Sequence, residues 1–375
     1  MRTGIANLPL HWGKTPSWLF EKMKELSFEI ARVIVWEFGP EEFLKRLSDP
    51  FWFQAFGCVL GFDWHSSGLT TTVCAALKEG IKGREKDVGF FICGGKGKTS
   101  LKTPSEIEIQ SQKIGKDGKK LVFASKMTAK IDNSAVQDGY TLYHHSFIFT
   151  FKGNWAVIQQ GMKENGWARR YHWTNLISNF NFLSDPHKGI ISSKKEKQVL
   201  NLVAKESKNC QEVATKLACQ KPQKTTRLLE KIKVLNLEKN HFISVKNLNF
   251  AYLEKIFTKT YEFQPKDFKE LLQIEGVGAK TLRALSLIAE LIYGAPPSFS
   301  DPAKFAFAHG GKDGHPFPVD RELYEKSIEI LRLALNKAKF SRSEKIHAFY
   351  RLTNLLSTYA VEKRGLKCGN LKKKF

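Results

Sequence analysis

The sequence predicts an α+β protein: a mixed α/β N-terminal domain, residues 1–193, followed by an all-helical C-terminal domain, residues 194–375. Three observations point there. All eight tryptophans precede residue 174, in a region where short apolar runs alternate with turn residues. Residues 194–246 then carry no Trp and 13 basic against five acidic residues. After that stretch, Leu and Ala recur at helical spacing. Ser192-Ser193-Lys194-Lys195 reads as a polar linker at the boundary. A length of 375 residues suits two domains, at about 150 residues each.

The elements follow in order. Trp18, Leu19, Met23, Leu26, Ile30, Val33 and Ile34 lie on one helical face, which predicts a helix over 16–37. Pro16 suits its first turn, and Gly39-Pro40 ends it. Asp49-Pro50 opens a heavily aromatic, buried segment, 51–60. Residues 66–80 predict a helix with a Ser cap. The apolar run 88–93 predicts a buried strand. Residues 141–151 and 155–160 flank Lys152-Gly153-Asn154, a hairpin signal. Further on, 321–339 and 341–360 read as helices with apolar faces, forming core or a homodimer face.

Sixty Lys and Arg against 37 Asp and Glu leave a net charge of +23. Such an excess opposes compaction through self-repulsion and points to a polyanionic partner. No stretch reaches the roughly 18–20 continuous apolar residues of a membrane span. Residues 1–14 lack the basic-then-apolar order of a signal peptide. The six cysteines form no CxxC pair, so they read as reduced thiols of a cytoplasmic protein.

The strongest motif is Leu271-Leu272-Gln273-Ile274-Glu275-Gly276-Val277-Gly278-Ala279-Lys280-Thr281. An apolar helical face precedes it, and Leu282, Leu285, Ile288, Ala289 and Ile292 form another after it. Over 264–294 this resembles the helix-hairpin-helix family of DNA-binding motifs. The physics agrees. Two glycines allow a sharp turn and a close phosphate approach. The next helix offers unpaired N–H groups and a positive dipole end. Gly276, Val277, Gly278, Lys280 and Thr281 are thus candidate DNA contacts, with Lys96 and Lys312 in two basic, Gly-rich loops. Contacts of this kind read phosphates, not bases. Lys280 also stands where endonuclease III-like DNA glycosylases, which are DNA-repair enzymes, carry a lysine that attacks the sugar. That alternative requires a downstream aspartate, either Asp301 or Asp320.

The N-terminal part holds the candidate chemistry. Asp63 and His65, Asp132, and Asp138 precede a cluster of His144, His145, His172 and His187. Oxygen ligands suit hard divalent cations, so Asp63, Asp132 and Asp138 are the expected ligands of Mg or Mn. His65, His144, His145 or His172 would serve as base or extra ligand. On one strand His144 and His145 point to opposite faces, so at most one faces a given site. Arg169 and Arg170 would clamp a phosphate. These are the parts of a metal-dependent DNA nuclease. The other reading is a DNA-binding protein without catalysis. Gly-Lys-Thr after the 88–93 strand suggests a nucleotide loop, but Ile92 stands where such a loop needs its first glycine.

Several longer segments are distinctive: Leu8-Pro9-Leu10-His11-Trp12-Gly13, Leu47-Ser48-Asp49-Pro50-Phe51-Trp52-Phe53-Gln54 and Gly61-Phe62-Asp63-Trp64-His65-Ser66-Ser67-Gly68. Gln137-Asp138-Gly139-Tyr140, Gln159-Gln160-Gly161-Met162, Arg169-Arg170-Tyr171-His172-Trp173 and His309-Gly310-Gly311-Lys312-Asp313-Gly314 are others. Together they resemble a prokaryotic family catalogued as domain of unknown function 763, found largely in archaea and thermophilic bacteria. The resemblance implies a cytoplasmic protein with a helical C-terminal domain. It assigns no catalytic set.

Overall fold

The computed structural model describes residues 15–62, 67–164, 166–193, 195–234, 249–303, 305–306, 329–330, 332–334, 336–337 and 346. The described residues begin with helices α1 (Ser17–Phe38), α2 (Pro40–Leu47), α3 (Pro50–Val59), α4 (Gly68–Ile81) and α5 (Glu85–Val88). Local chemistry sets their ends. Gly39, at φ 84°, closes α1 and its N–H bonds the Val35 carbonyl. Pro40 then starts α2. The Asp49 carboxylate caps α3 by accepting from Phe51 N (2.9 Å) and Trp52 N (3.0 Å). All ten residues of α3 are buried.

Strand β1 (Phe90–Lys96) leads into a 3₁₀ turn (Gly97–Lys102), α6 (Thr103–Gln112) and α7 (Lys119–Lys130). A five-residue π-helical turn, Ile131–Ala135, ends α7 and carries Asp132. Next come β2 (Val136–Gln137), β3 (Thr141–Thr150), β4 (Trp155–Met162), β5 (Ala168–Thr174), β6 (Gly189–Ser192) and β7 (Leu200–Asn201). The chain continues through α8 (Lys208–Ala218), α9 (Pro222–Val234), α10 (Phe250–Phe263), α11 (Phe268–Gln273), α12 (Ala279–Tyr293) and β8 (Phe305–Ala306).

Six strands form one sheet in the order β1-β3-β4-β5-β6-β8, and β2 pairs with β7. All pairs are antiparallel except β6 with β8. The expected hairpin is β3–β4, turning at Lys152-Gly153-Asn154. The N-terminal part mixes helices and strands, and 250–293 is helical apart from its turns. Two short strands, β7 and β8, also lie beyond residue 193.

Helices cover both faces of the sheet. Strand periodicity assigns side chains to two cores. Phe90, Ile92, Ile148, Ala156 and Ile158 pack with α1–α5. Phe91, Cys93, Phe147, Phe149, Trp155, Val157, Tyr171 and Trp173 face the other way. That second core also contains Leu217, Leu253, Phe257, Leu271, Leu285 and Ile288, so the sheet and the helices beyond residue 193 share one apolar cluster. Each fully buried large apolar side chain contributes about 1.5–3 kcal/mol. Among the described residues no helix is long and apolar enough to cross a membrane. The expected helices 321–339 and 341–360 lie mostly outside the described residues.

Candidate phosphate-binding turn and the buried polar networks

The middle of the sheet is polar on both faces. Toward α7, Asp132 is fully buried. Its Oδ2 accepts from Gln159 Nε2 (2.6 Å) and Trp173 Nε1 (2.9 Å), and its Oδ1 meets His187 Nε2 at 2.6 Å. The donation from Gln159 fixes the rest of the chain. Gln159 Oε1 faces His145 Nδ1 at 2.7 Å, so that nitrogen carries the proton. His145 Nε2 then accepts from the Ser125 hydroxyl at 2.8 Å. Burial pushes the His145 imidazole down to about 4, which keeps it neutral. Ser125 is only 2% exposed, so this chain is internal packing, closed to substrate.

A second network lies on the same face. Arg169 Nη1 donates to Asp138 Oδ2 (2.9 Å) and to Asp301 Oδ1 (3.0 Å), and Nη2 donates to Asp301 Oδ2 (2.7 Å). Asp138 also accepts from the Tyr171 hydroxyl (2.7 Å) and Tyr140 N (3.0 Å). Burial opposes the Arg169 charge, but Asp138 and Asp301 outweigh it and hold the guanidinium protonated. Burial also raises the Asp138 carboxyl, against the pull of Arg169.

The opposite face, toward α3 and α4, has no carboxylate partner for Arg170 among the described residues. Its Nε donates to His172 Nε2 (2.8 Å), Nη1 to Thr70 Oγ1 (3.2 Å) and Nη2 to Gln54 Oε1 (2.7 Å). Its guanidinium lies 4.7 Å from the Phe53 ring centre. Burial without a counter-charge lowers Arg170 to about 9. Burial and the Arg170 charge hold His172 well below its ordinary value. His144 is on this face, opposite Gln160 across the strand pair. Burial lowers it to about 3, and its Nδ1 has no hydrogen-bond partner.

This geometry corrects the expected metal site. Among the described residues no group of three or more His, Cys, Asp or Glu could hold a metal ion. Asp132 and Asp138 belong to separate networks, and their oxygens already accept protein donors. His144 and His145 point to opposite faces. The expectation of a metal-dependent centre with Mg or Mn therefore falls for Asp132 and Asp138. Asp63, His65 and Lys312 lie outside the described residues. Arg169 and Arg170 are fully buried, so neither guanidinium offers a surface clamp for phosphate. Lys96 ends β1, 6.0 Å from the Tyr143 ring centre.

The turn between α11 and α12 is open instead. Asp267 caps α11 and Asn249 caps α10, whereas no side chain caps α12. A pocket of about 430 Å³ surrounds this end, lined by Asn249, Tyr252, Gly276, Gly278, Ala279, Lys280 and Thr281. Gly276 sits at φ 90°, and a Cβ there would lie 2.5 Å from Ile256 Cδ1. Gly278 differs: a Cβ would meet nothing nearer than the Gly276 carbonyl at 4.0 Å. The fold needs Gly276, and the bare backbone at Gly278 widens the pocket. Thr281 is 1% exposed and its Oγ1 has no hydrogen-bond partner. Asp301, one expected partner for Lys280, is committed to Arg169 and lines a different pocket with His187 and Asn201. Asp320 is outside the described residues.

A family model described as protein of unknown function (DUF763) matches residues 4–319. The chain belongs to this family. No curated protein and no solved structure matches it. In this DUF763 member, sequence reasoning missed Gln159, Trp173 and Tyr171 as partners of the central carboxylates. It also missed Asn249 and Tyr252 at the α12 pocket. The strand register would have put Gln159 beside His145. Nothing local marks Tyr252, which precedes Gly276 by 24 residues.

Proposed function

We propose that the protein binds DNA without regard to base sequence, holding a backbone phosphate at the α11–α12 turn as a helix-hairpin-helix does. The observation that carries this reading is the pocket of about 430 Å³ at the start of α12, lined by Gly276, Gly278, Ala279 and Lys280 among others. It lies at the start of a 15-residue helix that no side chain caps among the described residues, beside the exposed Lys280. A phosphate oxygen there would accept from the backbone N–H groups of the first helical turn, and the helix dipole would favour its charge. A net charge of +23 supplies the long-range attraction. The binding should then be backbone-directed and strongly salt-dependent.

The test is fluorescence anisotropy with labelled DNA of two unrelated sequences, across a salt series. The two sequences should bind alike, with affinity falling linearly on a log–log salt plot. Lys280→Ala should lower that slope by about one. Binding insensitive to salt, or unchanged in Lys280→Ala, would sink the proposal.

A further inference from the structure

The pocket at the start of α12 is larger than a phosphate grip requires. Its volume of about 430 Å³ falls in the range of roughly 300–1,000 Å³ that accommodates whole small-molecule ligands. Its far wall is aromatic. Tyr252 is 44% exposed, yet held at both ends. Its backbone N–H donates to Asn249 Oδ1 (3.1 Å), and its hydroxyl donates to the Gly276 carbonyl (3.4 Å). The ring thus lines the same pocket as the start of α12. The Asn249 amide N–H groups on the rim add donors for a base edge. A duplex has no base free to enter, because its bases are paired and stacked on each other.

We infer that this pocket takes one unpaired nucleotide of single-stranded DNA, with its phosphate on the α12 N-terminus and its base stacked on Tyr252. This rests on the phosphate-binding reading above and narrows it to a substrate class. Base–aromatic stacking is tolerant of sequence, as the phosphate grip is. The first turn of α12 and the Tyr252 ring then act on two parts of the same nucleotide.

The experiment compares a labelled 15-nucleotide single strand with its 15-base-pair duplex, at moderate salt, on the full chain. Tyr252→Leu removes the ring and keeps a helix-compatible apolar side chain. Tyr252→Phe keeps the ring and loses only the hydroxyl. Both variants should show the wild-type melting temperature within a few degrees. The wild type should bind the single strand more tightly than the duplex. Tyr252→Leu should weaken single-strand binding about fivefold, the lower end of what stacking one base contributes, and leave duplex binding unchanged. Tyr252→Phe, which keeps the ring, should bind the single strand more tightly than Tyr252→Leu. Thymidine monophosphate should compete only weakly. Competition at the strand's own affinity would assign the pocket to free nucleotides and overturn the inference. Wild-type single-strand binding by Tyr252→Leu would remove the stacking and leave the phosphate grip standing. An absence of binding to either DNA would remove both.

Discussion

Gln137 holds Arg283: its Oε1 accepts from Arg283 Nε at 3.0 Å and from Nη2 at 2.8 Å. Its Nε2 donates to the Ala279 carbonyl at 2.9 Å, in the first turn of α12. Gln137 neighbours Asp138 on the chain, so one side chain links the sheet's ion-pair network to the α11–α12 turn. Gln137→Ala removes the acceptor of a half-buried guanidinium, at a cost of about 1–3 kcal/mol. Urea denaturation would register that loss. DNA affinity should fall several-fold, because the first turn of α12 is no longer anchored. Wild-type values in both measurements would show that the link carries no load.

Asp132 is the centre of the network toward α7. Asp132→Ala strands the Gln159, Trp173 and His187 donors in a dry interior. The expected loss is about 3–5 kcal/mol of stability, the range for breaking a buried charged network. Asp132→Asn keeps one acceptor oxygen and should lose less. A calorimetric melt orders the three proteins. Full stability in Asp132→Ala would contradict the structural role given to this carboxylate.

The two glycines of the turn should separate folding from binding. Gly276→Ala places a Cβ 2.5 Å from Ile256 Cδ1 at a positive φ, at a cost of about 1–3 kcal/mol. Gly278 has extended backbone, φ −121° and ψ −168°, which any residue adopts. Gly278→Ala should therefore leave stability within about 0.5 kcal/mol and still weaken DNA binding by crowding the phosphate approach. Equal effects of the two substitutions on melting temperature would contradict this division.

Acid should destabilise the fold through the buried histidines. His144 and His145 have folded values of about 3 and about 4, below the ordinary 6.5. Depressed histidine values mean that the unfolded chain takes up the proton first. Their contribution is therefore complete above pH 6.5 and is lost as pH falls toward 4. Each group gives a slope of up to about 1.4 kcal/mol per pH unit in that window. His145→Gln should flatten the profile between pH 6.5 and 4, whatever its effect at pH 7. A wild-type stability curve that is level across that window would refute the argument.

The features legible in the sequence are those whose partners lie within a few residues. The predicted helix over 16–37 corresponds to α1, and Gly39 and Pro40 mark its end. Asp49-Pro50 opens α3 because the cap and the capped N–H groups are chain neighbours. The β3–β4 hairpin follows from one three-residue turn between apolar runs, and the opposed faces of His144 and His145 follow from strand geometry. In the same way, the spacing of glycines ahead of Leu282 and Leu285 marked the α11–α12 turn.

The chemistry of the central carboxylates was decided elsewhere. Asp132 reads equally as a metal ligand or as a buried acceptor until the fold brings His187, 55 residues away, against it. Asp301 joins Arg169 across 132 residues, and Arg283 meets Gln137 across 146. A carboxylate serves as a ligand only where its lone pairs are unclaimed. That is a property of the packed interior, where each buried polar atom must find a partner. Sequence by itself determined α1, α4, the β3–β4 hairpin, the basic charge and the glycine turn before α12, because these depend on local backbone preference and composition. Tertiary structure alone decided which polar groups were consumed inside the sheet, and that Lys280 stands exposed at the start of α12.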